Sequence, residues 1–208
     1  MIIGMQTPWR RTRGLAQIAG LTLAMLALSA PGTASAEEPT CFGKKATIVA
    51  KPGVERIEGT AGDDVIVGNE RDQIISGGGG DDRICGKGGD DHIYGDAGDN
   101  RLSGGRGADW IRGQDGDDLI QGGPGADTLN VDYEENGDDE VFGGPGDDIM
   151  SAGHGEDKVF GESGDDRLFA GFKGKEDSPL VDLFSGGRGT DTCEPHEEDK
   201  LRSCEVRP

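Results

Sequence analysis

Apolar side chains recur along this chain at one position in nine. From Gly59 the sequence divides into GTAGDDVIV, GNERDQIIS, GGGGDDRIC, GKGGDDHIY, GDAGDNRLS, GGRGADWIR, GQDGDDLIQ and GGPGADTLN, ending at Asn130. After Val131-Asp132-Tyr133, a three-residue insertion, come EENGDDEVF, GGPGDDIMS, AGHGEDKVF and GESGDDRLF, ending at Phe169. Column eight of these twelve units reads Ile66, Ile75, Ile84, Ile93, Leu102, Ile111, Ile120, Leu129, Val141, Met150, Val159 and Leu168. All are apolar, and in a chain that is 32% apolar such a run arises by chance about once in a million trials. Column four is Gly in every unit except the second, which has Arg71. Column six is Asp in ten units, with Gln73 and Asn100 as the exceptions. Three columns in phase are the signature of a repeating structure, not of low-complexity disorder.

Each column predicts a local conformation. Glycines in the first four positions let the chain turn through positive φ without a Cβ penalty. Columns seven to nine are long enough for a very short strand, in which column eight faces inward and its neighbours outward. Column seven agrees, containing Arg83, His92, Arg101, Glu140, Lys158 and Arg167. No unit buries its apolar residue alone, so neighbours must stack through backbone hydrogen bonds. With two units per coil, twelve units predict six coils, a stack about 29 Å long at ~4.8 Å per coil.

Composition sharpens this picture. Of 208 residues, 39 are Gly, 5% are aromatic and the net charge is -20. A large apolar core is excluded, and so are nucleic-acid and anionic-membrane surfaces, whose phosphates this charge repels. Residues 1–36 differ from the rest. Arg10, Arg11 and Arg13 precede an apolar run from about Leu15 to Leu28, Pro31-Gly32 breaks it, and Ala34-Ser35-Ala36 supplies small residues. This is the pattern of a secretory signal peptide, so the mature chain from Glu37 is expected to be secreted and extracellular, with no membrane span after cleavage. An oxidising compartment permits disulfides. The four cysteines allow three pairings; two lie toward each end of the mature chain, and Cys41–Cys85 with Cys193–Cys204 is the expected arrangement.

The consensus GGxGxDxUx, with U apolar, resembles the glycine-rich nonapeptide repeats of RTX (hemolysin-type) proteins. It covers Gly59 to Phe169 closely and Gly186 to Glu194 loosely. The order of signal peptide, Cys-containing cap, repeats and second Cys-containing cap is also similar to small secreted RTX-like proteins of actinobacteria. The resemblance implies an all-β fold, a parallel β-roll (right-handed β-solenoid) of stacked repeats with disulfide-tied caps, that binds several calcium ions. Calcium takes six to eight oxygen ligands from carboxylates and carbonyls, and a GxGxD turn offers both. By the resemblance, column-six carboxylates two units apart help hold each ion. The candidate ligands are Asp64, Asp82, Asp91, Asp109, Asp118, Asp127, Asp139, Asp148, Asp157 and Asp166. The favoured pairs are Asp64 with Asp82, Asp91 with Asp109, Asp109 with Asp127, Asp139 with Asp157, and Asp148 with Asp166. Gln73 and Asn100 keep a side-chain oxygen without its charge, so sites touching them are expected to be weaker or empty. Column five tolerates Ala108, Ala126 and Glu156 among its aspartates, which argues for a carbonyl and a negative field rather than a side-chain ligand.

The domain reading is a signal peptide at 1–36, an N-terminal cap at 37–58, a roll at 59–169 with its insertion at 131–133, and an irregular repeat with a C-terminal cap at 170–208. Thr47-Ile48-Val49-Ala50 is a candidate strand, and Val54 and Ile57 suggest a degenerate first coil. Asp182, Phe184 and Ser185 match columns six, eight and nine of an irregular unit, while Phe172, Leu180, Val181, Leu183 and Phe184 offer an apolar cover for the last coil. Cys193 stands in column eight of the last unit. No HExxH helix, GxSxG elbow or GxxxxGK[ST] loop is present, and no carboxylate is singled out as an acid or base, so an enzyme is not expected. Two functions remain: calcium binding coupled to folding, and a calcium-stiffened extracellular adhesion or scaffold module with a protein or cell-surface partner.

Overall fold

The computed structural model describes residues 38–130, 137–151, 153–169, 183–195 and 199–206, all within the unit Glu37–Pro208. The expected signal peptide, the insertion at 131–133, and Phe172, Leu180, Val181 and Asp182 lie outside these residues. Strands alternate between two parallel sheets, so consecutive units lie in different sheets and units two apart pair side by side. Ile66 pairs with Ile84, Ile84 with Leu102 and Leu102 with Ile120 in one sheet. Ile75, Ile93, Ile111 and Leu129 follow one another in the second. The fold is an all-β parallel β-roll.

The apolar column forms the core as the alternation requires. All twelve column-eight side chains are fully buried in one cluster, joined by Ile57, Phe184 and Cys193. The register survives the insertion: Ile120 pairs with Val141 and Leu129 with Met150. A one-residue slip would have exposed the whole column.

The ladder is longer than six coils. Among the described residues each sheet has nine strands, which at ~4.8 Å per step spans about 38 Å. The additional rungs lie in the caps. Ile48–Val49 pairs with the first repeat strand and Arg56–Glu58 with the second. Leu183–Arg188 carries Phe184 onto Val159, so Phe184 takes an inward core position while Leu183, opposite Lys158, takes an outward one. Lys200–Arg202 and Glu205–Val206 continue past Cys193. A parallel ladder needs backbone groups and one inward apolar residue; it does not need the glycine turn, so degenerate sequence extends it.

Several strands also run beyond columns seven to nine. Arg83–Gly88, His92–Ala97, Arg101–Arg106 and Trp110–Asp115 continue into the turn glycines of the next unit, because those backbones stack in parallel as well. Column two then sits at positive φ, even where it is not glycine: Lys87 at 85°, Asp96 at 67°, Gln114 at 71° and Glu162 at 71°. Asp96 is held by hydrogen bonds from the Ser76 hydroxyl and the Gly78 N–H, and it accepts another from Gln114 Nε2 at 3.0 Å.

Both expected disulfides form, Cys41–Cys85 and Cys193–Cys204. Cys41 ends the first strand of a small antiparallel hairpin, Thr40–Cys41 with Lys44–Lys45. This hairpin packs against the first repeat strand, which explains why Val67, an outward column-nine residue, is fully buried. In the chain-entropy picture, closing the 44-residue separation contributes about 4 kcal/mol and the 11-residue one about 3 kcal/mol. Among the described residues no helix is long and apolar enough to cross a membrane.

Two substitutions test this packing in the folded, calcium-supplied chain by denaturant melting. Ile93→Ala empties a fully enclosed position and is expected to cost about 2–5 kcal/mol. Lys87→Gly relieves a left-handed conformation at an exposed side chain and is expected to gain up to about 1 kcal/mol; a loss would show that the lysine side chain contributes more than its backbone costs.

Candidate metal sites along the turn edges

Column six lies two residues before column eight, so its side chains point to the same interior side. The structure accordingly buries all ten predicted aspartates, none more than 6% exposed. Each carboxylate reaches one coil back along its edge. Asp82 Oδ1 accepts the Asp64 N–H at 2.7 Å, Asp109 Oδ1 the Asp91 N–H at 2.8 Å, and Asp127 Oδ1 the Asp109 N–H at 2.8 Å. Asp157 and Asp166 serve Asp139 and Asp148 in the same way, each at 2.9 Å. All five favoured pairs are therefore neighbours. Two pairs absent from that set span the insertion: Asp118 N–H donates to Asp139 at 2.7 Å, and Asp127 N–H to Asp148 at 2.8 Å.

The second carboxylate oxygen has a different fate. Oδ2 of Asp82, Asp91, Asp109, Asp118, Asp127, Asp148 and Asp166 is buried without a hydrogen-bond partner. It faces the first glycine of its own unit. A Cβ placed on Gly77 would lie 2.3 Å from Asp82 Oδ2 and 2.6 Å from the Gly95 carbonyl oxygen. On Gly122 the corresponding distances are 2.3 Å to Asp127 Oδ2 and 2.7 Å to the Gly143 carbonyl oxygen. Partnerless carboxylate oxygens thus lie against backbone carbonyl oxygens in space that a side chain would fill. A buried acceptor without a donor is costly, and converging carboxylate and carbonyl oxygens are the ligands of a hard cation. Among the described residues no three His, Cys, Asp or Glu side chains cluster as a metal site. The edges present carboxylates in stacked pairs instead, with backbone carbonyl oxygens beside them.

The two amide units show the contrast. Asn100 turns its Nδ2 onto the Gly98 carbonyl at 2.8 Å, and Gln73 its Nε2 onto the Val54 carbonyl at 2.7 Å. An N–H donor there satisfies the acceptors internally. Asp64 is satisfied differently: Oδ2 accepts the Thr60 N–H at 2.7 Å and its hydroxyl at 2.8 Å, while Oδ1 accepts the Thr47 hydroxyl at 2.9 Å.

Sequence reasoning missed two features. Asp191, in the loosely matching last unit, is 2% exposed and accepts the Asp166 N–H at 3.1 Å. Its place as column six of GGRGTD was the available signal. Column five also forms a ladder, running the other way and exposed: Asp63 accepts from Asp81, Asp72 from Asp90, Asp81 from Asp99, and Asp90 from Ala108. The alanine needs only its N–H for this, which is why the column tolerates it.

Burial, followed by neighbouring carboxylates, raises these acids. Burial pushes Asp118 up to about 8, with Asp139 and Asp99 adding to it. Burial raises Asp91, Asp127, Asp139 and Asp148 to about 7 and Asp82, Asp109 and Asp166 to about 6. Asp64 is the exception: burial raises it too, but the hydrogen bonds from Thr60 and Thr47 prevail and hold it below the ordinary carboxylate range.

A family model described as RTX calcium-binding nonapeptide repeat (4 copies) matches residues 51–70, 58–93, 94–129 and 135–168, together 113 of the 208 residues. No curated protein matches the chain.

The raised acids set a pH dependence. In chelator the folded chain retains protons that the unfolded chain, with carboxyls at the ordinary 3.8, has released. Metal-free strand content is therefore expected to be greatest near pH 4 and to fall as pH rises through 6 to 8. Calcium affinity is expected to move oppositely, because the ion requires the deprotonated carboxylates. Circular dichroism across pH 4–8, with and without calcium, checks both signs.

Proposed function

The chain belongs to the RTX calcium-binding nonapeptide-repeat family, and on that premise we propose that its turn edges bind several calcium ions and couple binding to folding of the roll. The observation that carries this reading is the file of buried, partnerless Oδ2 atoms set against stacked carbonyl oxygens. Calcium, when bound, supplies the positive charge that lets these carboxylates remain ionised inside the fold. The proposed ligands are Asp82, Asp91, Asp109, Asp118, Asp127, Asp139, Asp148, Asp157 and Asp166. Asp64 is proposed as the weakest of the ten, since Thr47 and Thr60 already occupy both its oxygens. The column-one glycines keep the space between oxygens open, and each Oδ1 fixes its carboxylate to the coil before it. Family membership places the chain among calcium-binding repeat modules rather than among enzymes.

The remaining assignments follow as parts of the same proposal. Residues 1–36 direct export and are removed, residues 37–58 and 170–208 cap a roll spanning 59–169, and the protein works extracellularly. Millimolar calcium there would hold the roll folded, while an unloaded chain stays open during export. One observation favours the second reading, a calcium-stiffened adhesion or scaffold module. On the outer face of one sheet the rings of His92 and Tyr94 each lie 5.3 Å from Trp110, and the Arg112 guanidinium sits 4.3 Å over that indole.

Calcium titration of residues 37–208 tests the proposal. Far-UV circular dichroism is expected to show a cooperative gain of strand, and calorimetry several bound ions. Asp127→Asn is expected to lower the ion count, whereas Asp99→Asn in column five leaves it unchanged. Equal strand content in calcium and EGTA would defeat the coupling, and no heat at millimolar calcium would defeat the ion assignment.

A further inference from the structure

The demand for a cation is not spread evenly along the roll. The partnerless carboxylate oxygens begin at Asp82 and recur to Asp166. The two units before Asp82 have none. Asp64 is served by three protein donors, from Thr47 and Thr60. Gln73 takes the Asn69 N–H on Oε1 at 2.8 Å and gives its Nε2 hydrogen to Val54. The buried side-chain atom left unpartnered there, Asn69 Nδ2, is a donor, which no cation would satisfy.

The same segment is packed on more sides than the rest. Ile57, Ile66 and Ile75 bury inward, as in every coil. Val67 and Cys41 are also buried on the outer side, where the Thr40–Lys45 hairpin covers the first strand. The Cys41–Cys85 bond ties that hairpin to the third repeat, and the Arg101 guanidinium lies 5.5 Å over the Phe42 ring. Two-sided packing and internal satisfaction of column six coincide in one stretch, and the disulfide joins that stretch to the first coil with a partnerless oxygen.

We infer that Thr40–Ser76 is a calcium-independent clasp: it stays folded when the metal is removed and offers its edge strands as the template on which the calcium-requiring coils from Asp82 onward form. The inference rests on the calcium reading proposed above, and it adds that calcium dependence has a starting point. Two features of the clasp serve the next coils directly. The Asp64 and Gln73 N–H groups stand ready to receive Asp82 and Asp91, and the Val65–Val67 and Ile74–Ser76 strands present the ladders that Arg83–Gly88 and His92–Ala97 join.

Hydrogen exchange on the disulfide-bonded chain at pH 7.5, read by mass spectrometry in EGTA and in calcium, tests it. Amides of 48–58 and 65–76 are expected to exchange at least tenfold more slowly than the unfolded rate in EGTA, while those of 91–169 exchange freely until calcium is added. Free exchange along the whole chain in EGTA, with protection everywhere in calcium, overturns the clasp and leaves the calcium reading standing. Protection that is uniform and the same in both buffers overturns both. Thr60→Val with Thr47→Val supplies a second measurement, since it removes both hydroxyl donors from Asp64, leaving only the Thr60 N–H, and preserves the side-chain volumes. This variant is expected to lose the EGTA protection of 48–76 yet regain it with calcium; protection unchanged in EGTA would show that these hydrogen bonds do not confer the independence.

Discussion

The roll depends on where the column-six carboxylate is forced to stand. Two residues before an inward apolar side chain, it cannot face solvent, so an acid is buried in every coil that carries one. Its two oxygens then meet different conditions. Oδ1 finds the backbone N–H of the preceding coil on the same edge and closes a hydrogen bond across coils, as Asp109 does with Asp91. Oδ2 of Asp82, Asp91, Asp109, Asp118, Asp127, Asp148 and Asp166 finds no donor. The first interaction holds coils in register; the second leaves buried acceptors that the proposed cations would satisfy. Burial is also what raises these acids, Asp118 to about 8 against the hydrogen bonds from Asn100 that lower it.

Stacking also explains the glycines. A Cβ on Gly104 would come within 2.1 Å of Asp109 Oδ2, so the column-one glycine is needed for space. Column two is needed for conformation, and there the requirement is softer: Lys87, Asp96, Gln114 and Glu162 occupy the left-handed region themselves. The two aspartate columns are likewise unequal. Column five caps forward and stays exposed, column six caps backward and is buried, and only the buried one accumulates orphaned oxygens.

Variation along the roll then has a physical meaning. An amide at column six replaces an acceptor with a donor and completes its turn from within the protein. Hydroxyls beside Asp64 achieve a similar result with the carboxylate retained. These exceptions lie toward the N-terminal half, at Asp64, Gln73 and Asn100, whereas Asp109 to Asp166 form an unbroken acidic file across both edges. A net charge of -20 is what the proposed cations at these acidic edges would offset.

The nine-residue period was sufficient to read the coil, the inward column, the turn glycines and the column of candidate ligand acids. Each is a local consequence of strand alternation and φ, which a sequence carries position by position. The pairings of Cys41 with Cys85 and Cys193 with Cys204 were also legible, because order along a solenoid follows order along the chain. The rest depends on what lies 18 residues away, or 21 across the insertion. The cap strands could not be counted from the motif, since a ladder accepts any backbone with one inward apolar residue, as Phe184 and Leu201 illustrate. Nor could the sequence show that Thr47 reaches Asp64 or that Val54 receives Gln73. Whether a column-six oxygen is satisfied or orphaned is decided by the neighbouring coil, and that neighbour exists only once the chain has stacked.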